Sequence, residues 1–261
     1  MTLNAESSYI GRHAELYDLF YAEKPYNEEA KFVDACIQQF GEGKSKKLLE
    51  LACGTGRHAL EMEKMGYQVT ATDYSADMLS QAKQKAVAAA STVDFRQQDM
   101  RTLNIPEAPF DAVMCLFDSI GYVATNENIS KVLKSIHKHL KSGGVFIFEF
   151  WHAPAMLKNF DPLRVRRWKL ADREVLRISE TELDDAQQLA HVSYSVYEFL
   201  PDQTYKTLSE TQTNRFFMLQ EMKAFLANSG FEMLKAFNGF SPDEMISDST
   251  WHVVMAARRL A

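Results

Sequence analysis

The residues best placed to do chemistry begin with a glycine loop, GTGRHA, at residues 54–59. The apolar run LLELAC precedes this loop, and a helix-like pattern follows it. A strand, a G-x-G-x-x-A loop and a helix together allow the backbone to approach a nucleotide ligand closely. The loop therefore predicts either a dinucleotide, which would indicate redox chemistry, or S-adenosylmethionine (SAM), which would indicate methyl transfer.

Acidic side chains end the strand patterns next to this loop. Asp73 ends YQVTATD about 20 residues after the loop, where a carboxylate can accept hydrogen bonds from ribose hydroxyls. Asp99 and Met100 end the next strand, VDFRQQD, where a carboxylate can accept from an adenine amine while a thioether packs on the ring. Asp73 suits both ligands, and the Asp99–Met100 pair adds a contact for adenine.

The elements that must position these residues alternate between strand and helix. Buried strand patterns such as KLLELA and FDAVMCLF are separated by helical ones, the last of which, NISKVLKSIHKHLKSGG, is predicted to end at its glycines. This alternation predicts an α/β fold: a Rossmann-like parallel sheet with helices on both faces. After Pro154 the pattern changes to alternating β-rich stretches, which predict an antiparallel insertion. The expected units are a helical lid (1–43), a core (44–154), the insertion (155–217), and a helix with strands that complete the core (218–261).

Several motifs in the same order carry a resemblance to a known family. ELACGTG, TDYSADML, QQDM, FDAVMCLFDSIGY and LKSGGVFIFE resemble the motifs of class I SAM-dependent methyltransferases. With YIGRHAELYDLFYAEKPYNEEA and FEFWHAPAML, the chain most resembles the N-methyltransferases of dTDP-linked amino-deoxysugars. The resemblance implies SAM as cofactor, S-adenosylhomocysteine as product, and a homodimer formed with help from the insertion.

The resemblance also implies roles for individual residues. Tyr17 would contact SAM, Ala52 and Gly54 its amino-acid portion, Asp73 the ribose, and Asp99 with Met100 the adenine. The full predicted cofactor site is Tyr17, Glu50, Ala52, Gly54, Gly56, Asp73, Tyr74, Met78, Asp99, Met100 and Leu116.

Tyr9 and Tyr122 are implied to face the acceptor amine. Glu149 and His152, at the end of the fifth strand, are candidates for a general base, or else Glu149 caps a loop and His152 packs. Arg166, in RVRRWK, either meets a diphosphate or lies on the solvated face of a strand. The predicted catalytic residues are Tyr9, Tyr122 and Glu149, and the predicted substrate-binding residues are Tyr9, Tyr122, Trp151, His152 and Arg166. The family's basic, glycine-rich stretch before the last strand is replaced here by MISDSTWHVV.

Composition excludes several classes of partner and location. A net charge of −6 in 261 residues disfavours a nucleic-acid partner, and no apolar run is long enough to span a bilayer. Three cysteines, an odd number, suit a reducing cytoplasm and no disulfide scaffold. The histidines show no metal-ligand spacing, so no metal is expected.

The predicted function is methyl transfer from SAM to a small-molecule amine. The acceptor that the resemblance favours is the amino group of a nucleotide-linked amino-deoxysugar. Two alternatives stay open: a methyltransferase for another small metabolite, such as glycine, sarcosine or a hydroxyl compound, and a SAM-binding regulatory module without catalysis. An NAD-dependent oxidoreductase is a fourth interpretation.

Overall fold

A computed structural model describes residues 9–41 and 46–261. Residues 1–8 and 42–43, which belong to the predicted lid, lie outside the described residues. Within the described ranges, eleven strands form one mixed sheet: β1 (Lys47–Leu51), β2 (Gln68–Asp73), β3 (Asp94–Gln97), β4 (Phe110–Cys115), β5 (Leu140–His152), β6 (Leu163–Lys169), β7 (Glu174–Asp184), β8 (Leu189–Phe199), β9 (Tyr205–Phe217), β10 (Phe231–Asn238) and β11 (His252–Arg259). The described α-helices are α1 (Arg12–Phe20), α2 (Tyr26–Phe40), α3 (Arg57–Lys64), α4 (Ala76–Ala88), α5 (Asn126–His139), α6 (Ala153–Asn159) and α7 (Leu219–Asn228).

The core sheet is parallel in the order β3-β2-β1-β4-β5, and antiparallel β11 and β10 continue it beyond β5. The strand order reverses between β1 and β4, so the carboxyl ends of these two strands flank the crevice where ligands bind in such sheets. Side chains alternate along β1: Leu48 packs under α2, α3 and α4, whereas Leu49 packs under α5 and α7. The predicted α/β sheet with helices on both faces is confirmed.

The predicted antiparallel insertion consists of β6 to β9, which pair in chain order. The end of β9 pairs with the end of β5 at Trp151 and His152, so the insertion is fastened beside the carboxyl edge of the core sheet. One boundary was predicted wrongly. Helix α5 ends at His139, and the glycine pair at 143–144 lies inside β5 because the chain passes directly from helix to strand. No helix among residues 9–41 and 46–261 is long and apolar enough to cross a membrane.

Candidate active site

A cavity of about 670 Å³ opens at the carboxyl ends of β1, β2 and β3, between them and helix α1. The glycine loop after β1 forms one wall, and the segments after β2 and β3 form the next. Residues from the insertion, such as His191 and Thr213, reach its other side. The cavity therefore lies beside the point where the strand order reverses, as expected for the ligand site of this fold.

Asp73 is the central polar group of this cavity. Its Oδ2 accepts a hydrogen bond from the Gly54 backbone N–H at 2.7 Å, and its Oδ1 accepts from the Ser75 N–H at 2.8 Å. Burial raises the pKa of Asp73, while these backbone donors oppose the shift. The carboxylate is thus fixed against the glycine loop, with lone pairs left for two hydroxyls of a ligand.

Asp99 lines the same cavity but is held differently. Its two oxygens accept from the Arg101 guanidinium, at 2.8 and 2.9 Å from Nε. Burial opposes ionisation, but the hydrogen bonds from Arg101 outweigh it, so the pKa of Asp99 is lowered. An ionised Asp99 beside Met100 gives this end of the cavity an acceptor and an apolar contact, which suit a purine amine.

A second cavity of about 770 Å³ lies between the core sheet, the lid and the insertion. It shares Tyr9, Phe117 and Tyr122 with the first cavity. The hydroxyls of Tyr9 and Tyr122 are 2.7 Å apart, and both pKa values are raised well above 10 by burial. Tyr9, Phe117 and Tyr122 thus form a common wall between the two cavities, and this wall carries two neutral phenols. A group that passes from one cavity to the other must cross it.

The backbone holds this wall in place at strained positions. Tyr9, Phe117 and Asp118 all have φ of 57°, in the left-handed region that side chains other than glycine rarely adopt. The Ser75 hydroxyl donates to the Tyr9 carbonyl at 2.8 Å, and the Phe117 N–H donates to Glu149 Oε2 at 2.6 Å. These contacts tie the lid and the loop after β4 to the rest of the site.

Three ionisable groups meet on the core side of the second cavity. His252 Nδ1 lies 2.8 Å from Asp118 Oδ2 and 3.2 Å from Glu149 Oε1. The charge of Asp118 and the contact with Glu149 raise the pKa of His252 to about 11, against the effect of burial. Burial, countered by His252, raises the pKa of Asp118 to about 6, whereas Glu149 has a lowered pKa because His252 outweighs its burial.

Above pH 6 the three groups together therefore carry one net negative charge: two carboxylates and one imidazolium. Their ligand atoms lie within 4.8 Å of one another, and among the described residues they are the group that can hold a metal ion.

The insertion side of the second cavity is basic. Arg164, Arg166 and Arg177 all line it. Arg177 is buried, with 8% of its surface exposed, and its guanidinium faces the rings of Phe20, Trp168, Tyr21 and Tyr194. No described residue accepts a hydrogen bond from its Nε or Nη1. A buried guanidinium with free donors is suited to an anionic group of a ligand.

Known proteins resemble the chain both in sequence and in structure. A methyltransferase domain family matches residues 48–144. The dTDP-3-amino-3,4,6-trideoxy-alpha-D-glucopyranose N,N-dimethyltransferase of Streptomyces venezuelae is 32% identical over 188 residues, covering 71% of this chain and 70% of the relative. The chain belongs to the class I SAM-dependent methyltransferases.

Two further proteins match nearly the whole methyltransferase chain. YqeM of Bacillus subtilis is 28% identical over 236 residues, which cover 90% of this chain and 92% of that protein. The structure of a SAM-dependent methyltransferase from Clostridium acetobutylicum superposes with a TM-score of 0.82 at 23% identity, covering 96% and 98% of the two chains. The similarity therefore extends beyond the core to the lid and the insertion.

The first cavity of this methyltransferase fits SAM. Its two carboxylates offer acceptors of the kind that ribose hydroxyls and an adenine amine need, and Tyr17 and Phe117 supply aromatic rings suited to a sulfonium. The predicted cofactor residues that line the cavity are Tyr17, Ala52, Gly54, Asp73, Tyr74, Met78, Asp99 and Met100. Three others do not line it: Glu50, Gly56 and Leu116.

Each of these three has a structural position instead. Glu50 is buried behind the loop, where its carboxylate accepts from the Ala59 backbone, and Leu116 is part of the core. Gly56 precedes α3 with φ of 77°, and a Cβ there would lie 2.7 Å from the ring of Phe95. Gly56 is therefore required for close packing between the loop and β3.

The predicted acceptor residues Tyr9, Tyr122, Glu149, Trp151 and Arg166 line the second cavity. His152 does not. It is buried with its Nδ1 3.1 Å from the Thr250 carbonyl, and burial lowers its pKa. Strand alternation explains the difference, since Trp151 and His152 point to opposite faces of β5.

Sequence reasoning missed Phe117, Asp118, Arg177, Gln212 and His252. Phe117 and Asp118 could have been inferred, because FDS directly follows the fourth strand, where ligands bind. Arg177, Gln212 and His252 carry no local signal, since separate segments of the chain bring them to the site.

Proposed function

We propose that this methyltransferase transfers the SAM methyl group to the amine of a small molecule that also carries an anionic group. A nucleotide-linked amino-deoxysugar is the acceptor we favour. The single observation that carries the proposal is the position of the second cavity and the charge of the groups that line it. It adjoins the SAM cavity through Tyr9, Phe117 and Tyr122. It combines carboxylates on one side with Arg177 on the other, whose Nε and Nη1 donate to no described residue.

The distribution of charge supports an acceptor with two different ends. Asp118 and Glu149, next to Phe117 in the common wall, attract a cationic amine toward the point of transfer. Arg177, with Arg164 and Arg166 nearby on β6 and β7, attracts a phosphate or another anion. A sugar that bears an amine and is linked to a nucleotide diphosphate has both features.

When SAM is bound, it supplies a methyl group on a positively charged sulfur, so that no further activation of the donor is needed. The chain's own residues bind and orient the amine, and such orientation can supply about 7–11 kcal/mol of the barrier. The amine must present a free lone pair, and an ammonium has none. Asp118, whose pKa is raised to about 6, is better matched than Glu149 to accept the proton that the amine loses, and Glu149, whose pKa is lowered, stays ionised at neutral pH and attracts the ammonium form.

The relative from Streptomyces venezuelae supports the same acceptor class, because its name is that of an enzyme acting on a dTDP-linked amino sugar. That identity spans about 70% of each chain and so includes more than the SAM-binding core.

The test is methyl transfer from deuterium-labelled SAM to a panel of acceptors, with products identified by mass spectrometry. The panel contains a dTDP-linked amino-deoxyhexose, the same sugar with a hydroxyl in place of the amine, glycine, sarcosine and a catechol. We expect label on the amino sugar alone. Label on the hydroxyl sugar, glycine, sarcosine or the catechol instead would contradict the proposal and favour another small-metabolite methyltransferase. SAM binding without any transfer would favour a regulatory module.

Other expectations from the sequence stay predictions. These are the roles of the individual site residues, the division into lid, core, insertion and closing elements, the homodimer and the cytoplasmic location. Cys36, Cys53 and Cys115 are buried and unpaired, which is compatible with a reducing compartment.

A further inference from the structure

A chain of hydrogen bonds runs from the common wall into the insertion. The Tyr9 hydroxyl contacts the Tyr122 hydroxyl at 2.7 Å, and the Tyr122 hydroxyl contacts Gln212 Oε1 at 3.2 Å. Gln212 Nε2 donates to Glu210 Oε1 at 2.7 Å. Gln212 and Glu210 belong to β9 and neither is in the predicted site. These hydrogen bonds therefore link the two phenols to the half-buried carboxylate of Glu210 on the insertion.

Glu210 fixes the far end of this chain. Three donors converge on its carboxylate: the Tyr9 backbone N–H at 2.9 Å, His13 Nδ1 at 2.8 Å and Gln212 Nε2. Burial raises the pKa of Glu210, but the contacts with His13 and Gln212 outweigh it, and the net shift is downward. An ionised carboxylate can only accept hydrogen bonds, so the Gln212 amide must turn its NH₂ toward Glu210.

This orientation of the Gln212 amide determines the direction of the other two hydrogen bonds in the series. With its NH₂ on Glu210, Gln212 presents its carbonyl oxygen to Tyr122, so Tyr122 must donate its single hydroxyl proton to Gln212. Tyr122 can then only accept from Tyr9, and Tyr9 must donate its proton to Tyr122. Both hydroxyl protons are used within this series of hydrogen bonds. Each phenol oxygen of the common wall therefore offers only lone pairs to a ligand.

We propose that Gln212 and Glu210 are positioning residues that make Tyr9 and Tyr122 hydrogen-bond acceptors toward the substrate amine. This inference rests on the proposed amine acceptor. Phenol oxygens that accept an N–H hold the amine with its lone pair free to point toward the SAM cavity. Phenols free to donate would instead cover that lone pair, which is the electron pair that must form the new carbon–nitrogen bond.

The test compares Gln212→Met with Gln212→Glu, assayed with the amine that the wild-type enzyme methylates. Methionine has a similar length but no strong acceptor, so Tyr122 is released to donate elsewhere. We expect Gln212→Met to lower kcat about tenfold, the effect of roughly one hydrogen bond, while the KM for SAM stays unchanged. Gln212→Glu keeps an oxygen facing Tyr122 and should restore most of kcat, sharing one proton with Glu210.

A double-mutant cycle separates positioning from a merely structural role. In a Tyr122→Phe background the Gln212→Met change should have little further effect, because Gln212 acts through the Tyr122 hydroxyl. Wild-type kcat in Gln212→Met, equal losses in both Gln212 variants, or full additivity with Tyr122→Phe would each overturn the inference.

A measurement without substrate keeps the two proposals distinguishable. In carbon-13-labelled protein, a scalar coupling across the hydrogen bond between the Tyr122 hydroxyl proton and the Gln212 carboxamide carbon reports the direction of donation. We expect that coupling in the wild type. If the Tyr122 hydroxyl instead donates its hydrogen bond to the Tyr9 oxygen, the inference is overturned. If the wild type methylates no amine while the coupling is present, the proposed function fails and the hydrogen-bond direction stands.

Discussion

The two cavities share one wall but are built from the chain in different ways. The SAM cavity is lined mainly by short segments that each follow a core strand, such as Gly54 after β1, Asp73 at the end of β2 and Asp99 after β3. The acceptor cavity collects Asp118, Arg177 and His252 from the core, the insertion and the last strand. The donor site is therefore a property of the parallel sheet, whereas the acceptor site depends on how the insertion and β11 are placed against it.

This difference shows where specificity can change in the fold. The SAM site is built mainly from segments that follow core strands, so a change in the insertion alters few of its side chains. The acceptor site changes whenever a strand of the insertion presents another side chain. Substitutions in the first cavity should accordingly change the affinity for SAM, whereas substitutions in the second should change the KM for the acceptor.

The largest expected effect is loss of SAM binding in Asp73→Ala. This change removes the ribose acceptor and also frees the Gly54 and Ser75 backbone donors that Asp73 holds. We expect the Kd for SAM, measured by calorimetry, to rise about 100-fold, since hydrogen bonds to a charged group are each worth about 1.5–3 kcal/mol. Asp99→Ala is the matched control and should cost less, because the Arg101 guanidinium that holds both Asp99 oxygens is partly exposed and can turn to solvent. An equal loss in both would contradict this ranking.

Next is the effect of Arg177→Met on a phosphate-bearing acceptor. We expect the KM for a nucleotide-linked amino sugar to rise about 10- to 100-fold, because a charge-assisted contact to phosphate is lost, while the KM for SAM is unchanged. Methionine can still fill the aromatic surroundings, and the change breaks no ion pair between Arg177 and another described residue. Arg166→Met, on the exposed strand β6, is the control with a smaller expected change. A reversed order of the two variants would identify Arg166 as the anion contact.

The glycine loop offers a comparison between binding and stability. In Gly56→Ala the new methyl would collide with Phe95 and the residue would keep a positive φ, so we expect a loss of about 1–3 kcal/mol in the free energy of unfolding. In Gly54→Ala the residue would also keep a positive φ, of 55°, but the nearest atom would be Met78 Cε at 3.5 Å, an ordinary contact. We therefore expect Gly54→Ala to lose less free energy of unfolding than Gly56→Ala and to lose more affinity for SAM. Denaturant unfolding and SAM titration of both variants check this. The opposite pattern would place Gly56 in the ligand site.

The smallest expected effect is a change in the pH dependence of acceptor binding. Asp118, whose pKa is raised to about 6, becomes neutral as the pH falls through that value, and the cavity loses its net negative charge. Binding of the ammonium form of the acceptor to the complex with S-adenosylhomocysteine should therefore weaken below pH 6.

Two variants give the sign of this effect. Asp118→Asn should abolish the transition near pH 6. His252→Gln removes the cation that favours ionised Asp118, so the transition should move upward by about one pH unit. A transition that is unchanged in Asp118→Asn would assign it to another group.

Local sequence patterns accounted for the fold and for most of the SAM site. The alternation of strands and helices predicted the sheet, and the residues that end β1, β2 and β3 necessarily meet at one edge of it. Glu50, Gly56 and Leu116 were expected to contact the cofactor, but none of them lines the cavity. A strand-end position does not by itself determine on which face of the sheet a side chain lies, and Glu50 and Leu116 both point into buried surroundings.

The acceptor site could be predicted only where the resemblance supplied a position, as for Tyr9 and Tyr122. Arg177 looks in the sequence like any polar residue of an amphipathic strand, and its burial follows from the packing of β7 against α1 and Trp168. The contact between His252 and Asp118 joins positions far apart in the chain, which no local pattern reveals.

The most direct test of the central claim is a single-turnover reaction with enzyme in excess over deuterium-labelled SAM and a saturating dTDP-linked amino-deoxyhexose. Fragmentation of the product by mass spectrometry locates the label. We predict that the labelled methyl group appears on the sugar nitrogen, with S-adenosylhomocysteine formed in equal amount. Label on a sugar oxygen, or unreacted SAM in an enzyme that has bound it, would contradict the assignment of the second cavity to an amine acceptor.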